Sequence, residues 1–261
     1  PPTELEVLPG ARCRTGPPLR FFGRAVDPPG DSRRVEEARQ RRLETEPWPR
    51  ELRRGGQAAG GRVQRVDATS RVVFMCGPSG AGKTTYARRL EAEGMVRLSF
   101  DAGIWARGIT GGEVPEEVRE EIRTELRAEL RRLLDEGRDV VLDFSFWSRA
   151  MREEWRALLA EHHVVPETLY LATDRSTVLA RVASRRAAHA DDFPVDLATA
   201  AAYVDGFEAP TPEEGPLTIV VDGEVFAART DGPGTYHYDW VSGPNRGYGF
   251  NSFTSDRSSL P

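Results

Sequence analysis

The sequence predicts an α/β fold: a three-layer sandwich in which helices cover both faces of a five-stranded parallel sheet, with irregular N- and C-terminal extensions. Three observations lead there. Between residues 70 and 222, short apolar runs alternate with stretches of helical periodicity. The runs are continuously apolar rather than alternating, which suits strands buried on both faces. A glycine-rich segment joins the first run to the first helix.

Taken in order, Arg71 to Cys76 (RVVFMC) is the first strand and ends at Gly77. Thr84 to Glu93 follows as a helix, and Met95 to Phe100 as a second strand ending at Asp101. Val118, Ile122, Leu126, Leu130, Leu133 and Leu134 recur at helical spacing, with Pro115 near the start and Gly137 just past the end. Asp139 to Phe146 is the third strand, and Ser148 caps a helix running to about Glu161. Thr168 to Ala172 is the fourth strand, followed by a helix through Arg186. Leu197 to Phe207 is a further helix and Leu217 to Val221 the last strand.

The flanks read differently. Residues 1–69 are rich in Pro, Arg and Gly and lack the apolar burial that offsets ordering entropy, so a largely disordered extension is expected. No methionine precedes Met75, which lies inside the first strand. A non-methionine start near Val63 or Val66 is therefore expected, with much of the extension outside the native product. Residues 70–222 form the expected domain. Residues 223–261 are expected to be an aromatic-rich tail, carrying Tyr236, Tyr238, Trp240, Tyr248, Phe250 and Phe253 among Gly, Pro, Ser and Asn.

Composition removes several function classes. The formal net charge of -5 argues against general nucleic-acid binding through bulk positive charge. No apolar run reaches the length of a membrane span. Cys13 and Cys76 give neither a disulfide framework nor zinc spacing, so a reduced, cytoplasmic setting is expected. His162, His163, His189 and His237 show no metal-ligand spacing.

The segment Gly77-Pro78-Ser79-Gly80-Ala81-Gly82-Lys83-Thr84-Thr85 fits G-x-x-x-x-G-K-[ST] without a mismatch, between an apolar strand and a helix. Glycines let the backbone fold tightly, so that successive N–H groups face an anion at a helix N-terminus. Lys83 supplies a compact positive charge to the β- and γ-phosphates, and Thr84 offers a hydroxyl to Mg²⁺. Lys83 is the only lysine in a chain that otherwise uses arginine. These features predict a P-loop NTPase.

A guanine-reading Asn-Lys-x-Asp element is impossible with one lysine. The third strand has no Glu after Asp143 to polarise a water, as motor and AAA-type ATPases usually do. Both absences favour phosphoryl transfer over hydrolysis. Asp101, just past the second strand, is preferred as the acceptor of a substrate hydroxyl proton over a plain helix cap. Arg181 and Arg185 share a helix face and, with Arg186, suit a lid that stabilises transferring charge. Ala187 to Pro194 reads as the mobile part of that lid.

Residues 70 to about 222 resemble the P-loop kinases related to zeta toxin, chloramphenicol phosphotransferase and the kinase domain of polynucleotide kinase, a group of AAA-family ATP-binding proteins. The matching runs are GPSGAGKTT at 77–85, LSFD at 98–101, VVLDFSFWSRAMREEWR at 140–156, LYLATDRSTVLARVASR at 169–185 and AYVDGFEAPTPEEG at 202–215. The resemblance implies that Lys83 and Thr84 hold phosphates and Mg²⁺, that Asp101 is the general base, and that Asp143 orders the metal or its waters. It further implies that Arg149 and Arg152 face substrate, and that Arg181 and Arg185 are lid arginines. Polynucleotide kinases place an arginine close after the aspartate; here Gly103-Ile104-Trp105 intervenes before Arg107, which disfavours a nucleic-acid 5′ end without removing it. Phe144, Phe146 and Trp147 either line an apolar pocket or pack in the core. The expectation is an ATP- and Mg²⁺-dependent phosphotransferase acting on a hydroxyl of a small molecule. A nucleic-acid end kinase and an ATP-binding switch with little catalysis stay open beside it.

Overall fold

The computed structural model describes residues 70–185, 193–243 and 248–253. The expected disorder of 1–69 and most of the expected lid segment lie outside the described residues. Five strands run parallel: β1 (Val72–Cys76), β2 (Val96–Ser99), β3 (Val140–Asp143), β4 (Glu167–Leu171) and β5 (Leu217–Val221). They lie in the order β2-β3-β1-β4-β5, which puts β1 at the centre.

β1 is buried along its whole length because its alternate residues feed two cores. Val72, Phe74 and Cys76 point to one face. There they pack with Leu130, Leu133 and Leu134 of α3 (Glu116–Asp135) and with Trp155, Leu158 and Leu159 of α4 (Arg149–Ala160). Val73 and Met75 point to the other face and meet Tyr86, Ala87 and Leu90 of α1 (Lys83–Ala92). The three predicted layers are therefore present. Among the described residues the remaining α-helices are α2 (Phe100–Ala106), α5 (Arg175–Ala183) and α6 (Leu197–Asp205).

Three details depart from expectation. Among the described residues the sheet has eight strands, not five, because β6 (Glu224–Gly232), β7 (Thr235–Trp240) and β8 (Gly249–Phe253) add antiparallel beyond β5. The described part of the expected irregular tail is thus largely sheet. Asp222 and Gly223, at φ 55 and 80, make the two-residue turn that reverses the chain from β5 into β6. The third strand ends at Asp143, earlier than predicted, where the chain bends through Phe144 to Phe146 and Phe146 takes φ 44. A short helix, α2, follows β2 directly, capped by the Ser99 hydroxyl, which accepts from the Ala102 N–H at 3.2 Å. Ser148 caps α4 as predicted, accepting from Met151 N–H at 3.2 Å.

Candidate phosphate-binding site

Parallel strands all end on one edge of the sheet, and the loops leaving β1, β2, β3 and β4 meet there. The glycine-rich loop leaves β1 and turns into α1. Gly80 and Gly82 sit at φ 89 and 101, a region that L side chains rarely adopt. The loop is pinned from three sides. Gly77 N–H donates to Ser145 O at 3.1 Å. The Thr173 hydroxyl donates to Ala81 O at 3.0 Å. Arg181 Nη1 donates to Gly80 O at 3.2 Å.

A methyl group at Gly80 would stand 2.9 Å from the Val178 carbonyl, a backbone atom that cannot yield cheaply. Gly80→Ala is expected to combine that clash with positive-φ strain, costing about 1–3 kcal/mol. Gly94→Ala, at φ 107 with open space around it, carries the strain alone. Chemical denaturation of the two variants checks this: Gly80→Ala should be the less stable.

Lys83 opens α1 and folds back to donate from Nζ to Pro78 O at 3.0 Å. Burial lowers its pKa, while the carboxylates of Asp143 and Asp101 oppose that shift; Arg185 and Cys76 also lie close enough to act on it. Asp143, at the end of β3, is almost fully buried. Burial pushes its pKa up, and Lys83 together with the Arg97 hydrogen bond and charge pull it back. The Thr84 hydroxyl donates to Asp143 Oδ1 at 3.4 Å, and Arg97 Nη1 donates to Oδ2 at 2.8 Å. Thr84 and Asp143 offer hard oxygen donors beside a loop shaped for phosphate, which fits Mg²⁺ held by few protein ligands and phosphate oxygens. The Cys76 thiol stays protonated, since burial pushes it up to about 12.

Asp101 lies in the first turn of α2, where Ser99 and not Asp101 provides the cap. Of the two lid candidates, Arg181 docks on the glycine-rich loop. Arg185 lies past the end of α5, so it does not share a helix face with Arg181, and its Nη1 donates to Phe193 O at 2.8 Å. Arg186 lies outside the described residues.

The two candidate substrate arginines are not brought to this site. Arg152 is fully buried, and its guanidinium is spent on Glu214, Phe146 O and Glu208 O. Arg149 points to solvent and pairs with Glu153 one turn on, at 2.7 Å. Phe144 and Phe146 belong to the core, Phe146 stacking on Phe74 at 4.2 Å between centroids, and only Trp147 is exposed. Arg107 pairs with Glu125 of α3 at 2.7 Å. Arg97 is missing from the sequence-based candidates. Its signal is a charged residue between the apolar Val96 and Leu98 of β2.

The fold and its glycine-rich loop define the chain as an α/β P-loop NTPase-like protein. More particularly, it belongs to the AAA domain family, whose profile matches residues 72–210. Among solved structures it is similar to a candidate kinase from Chloroflexus aurantiacus, at 21% identity and a TM-score of 0.50, covering 59% of this chain and 88% of that one. A sugar kinase from Janibacter sp. shares 23% identity over 58% of this chain and 84% of its own, with a TM-score of 0.42. Kti12 from Chaetomium thermophilum, in complex with ADP-AlF3, shares 19% identity over 57% and 88%, with a TM-score of 0.45. At 21% identity the likeness to the Chloroflexus structure concerns the fold alone. No curated protein matches the chain. Among the described residues no helix is long and apolar enough to cross a membrane.

Proposed function

We propose that the chain is an ATP-dependent phosphotransferase that moves the γ-phosphate to a hydroxyl group of a small molecule. The observation that carries this reading is the glycine-rich loop at the head of α1, with Lys83 folded onto Pro78 O and the Thr84 hydroxyl on the Asp143 carboxylate at the end of β3. Such an arrangement suits a triphosphate.

In this reading the N–H groups of residues 79–84 hold the phosphates. Lys83 leaves Pro78 O and places its ammonium on the β- and γ-phosphates. Thr84 and Asp143 would hold Mg²⁺, which would supply charge neutralisation to the phosphates. Asp101 accepts the proton of the attacking hydroxyl. The hydroxyl oxygen bonds to the γ-phosphorus, the bridging bond to the β-phosphate breaks, and ADP leaves. Arg181 and Arg185 stabilise the charge that develops on the transferring group.

In this reading the acceptor is an antibiotic, a nucleoside or a sugar nucleotide; the runs that resemble zeta-toxin-like, chloramphenicol-phosphotransferase-like and polynucleotide-kinase-like enzymes support a kinase without selecting its acceptor. The pairing of Arg107 with Glu125 supports a structural role for that arginine rather than one on a nucleic-acid end.

The test is transfer of label from γ-labelled ATP, with Mg²⁺, to a panel of nucleosides, sugar nucleotides, aminoglycosides, chloramphenicol-like alcohols and RNA ends. Label in a small acceptor supports the proposal. Label only in RNA ends makes the chain a nucleic-acid end kinase. Tight ATP binding with transfer to nothing on the panel turns the reading toward a nucleotide switch.

A further inference from the structure

The carboxylate of Asp143 is held from both sides. Oδ1 accepts from the Thr84 hydroxyl at 3.4 Å, and Oδ2 accepts from Arg97 Nη1 at 2.8 Å. Both side chains of the latter pair are withdrawn from solvent, with relative exposures of 12% for Arg97 and 3% for Asp143. Arg97 is itself braced, since its Nε lies 3.5 Å from Glu91 Oε2. Glu91 belongs to α1, the same helix that presents Lys83 and Thr84 at its start. One guanidinium on β2 therefore ties the far end of α1 to the carboxylate that faces the near end.

This arrangement has a geometric consequence. A carboxylate can rotate about its terminal bond, and each rotation changes which oxygen faces the phosphate loop. A guanidinium bound at one oxygen and braced at a second carboxylate removes that freedom. Arginine suits the task because its donors have fixed directions, whereas a lysine ammonium is a point charge on a flexible stem. Groups that orient a metal ligand from behind commonly matter nearly as much as the ligand itself.

We propose that Arg97 is a positioning residue that holds the Asp143 carboxylate toward Thr84, and that the gain in ATP affinity conferred by Mg²⁺ depends on it. The proposal rests on the phosphotransferase reading for the identity of nucleotide and ion. It concerns a residue that touches neither.

Equilibrium binding of ATP to the full chain, measured by calorimetry with excess Mg²⁺ and again with EDTA, tests it. The parent chain is compared with Arg97→Met and Arg97→Lys. Arg97→Met should bind ATP in EDTA as the parent does, while its Mg²⁺-dependent gain falls by about tenfold to a hundredfold or vanishes. Arg97→Lys keeps the charge without the fork and should recover part of the gain. It also serves as the decisive variant should Arg97→Met fail to fold. A full Mg²⁺-dependent gain in the folded variants overturns the proposal. So does an equal loss of affinity with and without Mg²⁺, which would mark a role in stability alone. A parent chain that binds no ATP under either condition overturns the phosphotransferase reading, and the role of Arg97 with it.

Discussion

Asp101→Asn is expected to lower phosphoryl transfer by about two to four orders of magnitude while leaving ATP affinity near that of the parent. Asparagine keeps the size and polarity of the side chain but cannot take the proton of the acceptor hydroxyl. Asp101 stands in the first turn of α2, off the glycine-rich loop, so its exchange leaves the phosphate contacts in place. Lys83→Ala is the contrasting variant. It removes the ammonium from the centre of the site and should weaken ATP binding together with transfer, by about two to three orders of magnitude in rate. Paired binding and transfer measurements separate the two roles. An Asp101→Asn variant with full turnover would take that residue out of the mechanism. A Lys83→Ala variant that binds ATP normally would contradict the proposed phosphate site.

Glu214→Ala is expected to have the largest effect on stability. Glu214 lies in a short 3₁₀ turn (Pro212–Glu214), and its carboxylate is forked by Arg152 Nε and Nη2 at 2.7 and 2.9 Å. Arg156 adds a third contact to Glu214 at 2.9 Å. Arg152 is fully buried, so removing its counter-charge leaves a guanidinium in the core with only two carbonyls for company. Breaking a buried pair in this way typically costs about 3–5 kcal/mol. In thermal unfolding that corresponds to a fall on the order of 10 °C for a chain of this size. Glu153→Ala, which breaks the exposed pair with Arg149, should cost about 0.5 kcal/mol or less. Equal effects from the two variants would contradict the burial argument.

The same carboxylate predicts a pH dependence. Burial pushes the pKa of Glu214 up, but the Arg152 hydrogen bonds and charge, with help from Thr211 and Arg156, hold it below the usual range. Its stabilising contribution is therefore complete above the unfolded-state value of about 4.3 and is lost as pH falls through the folded value. Acid titration of the parent should show this loss, and Glu214→Ala should lack that component.

Local signals carried much of this protein. The apolar run 71–76 suited a strand buried on both sides, and the spacing of Ile122, Leu130, Leu133 and Leu134 marked the buried stripe of α3. The glycine-rich loop was legible because its glycines, Lys83 and Thr84 are neighbours in the chain. Ser148 announced α4 for the same reason. The Asp222-Gly223 pair carries a signal for the turn into β6, but the Gly, Pro, Ser and Asn scattered among the aromatics beyond it obscured the strands. Other features arose only when distant segments met. Whether an arginine faces a ligand or the core depends on what lies opposite it. For Arg152 that is Glu214, 62 residues away, and for Arg97 it is Asp143, 46 residues away. A charge in a sequence has no environment. Folding gave each of these guanidiniums a carboxylate at hydrogen-bond distance and removed the water, and the pairing, not the residue type, decided which of them could stand near the phosphate loop.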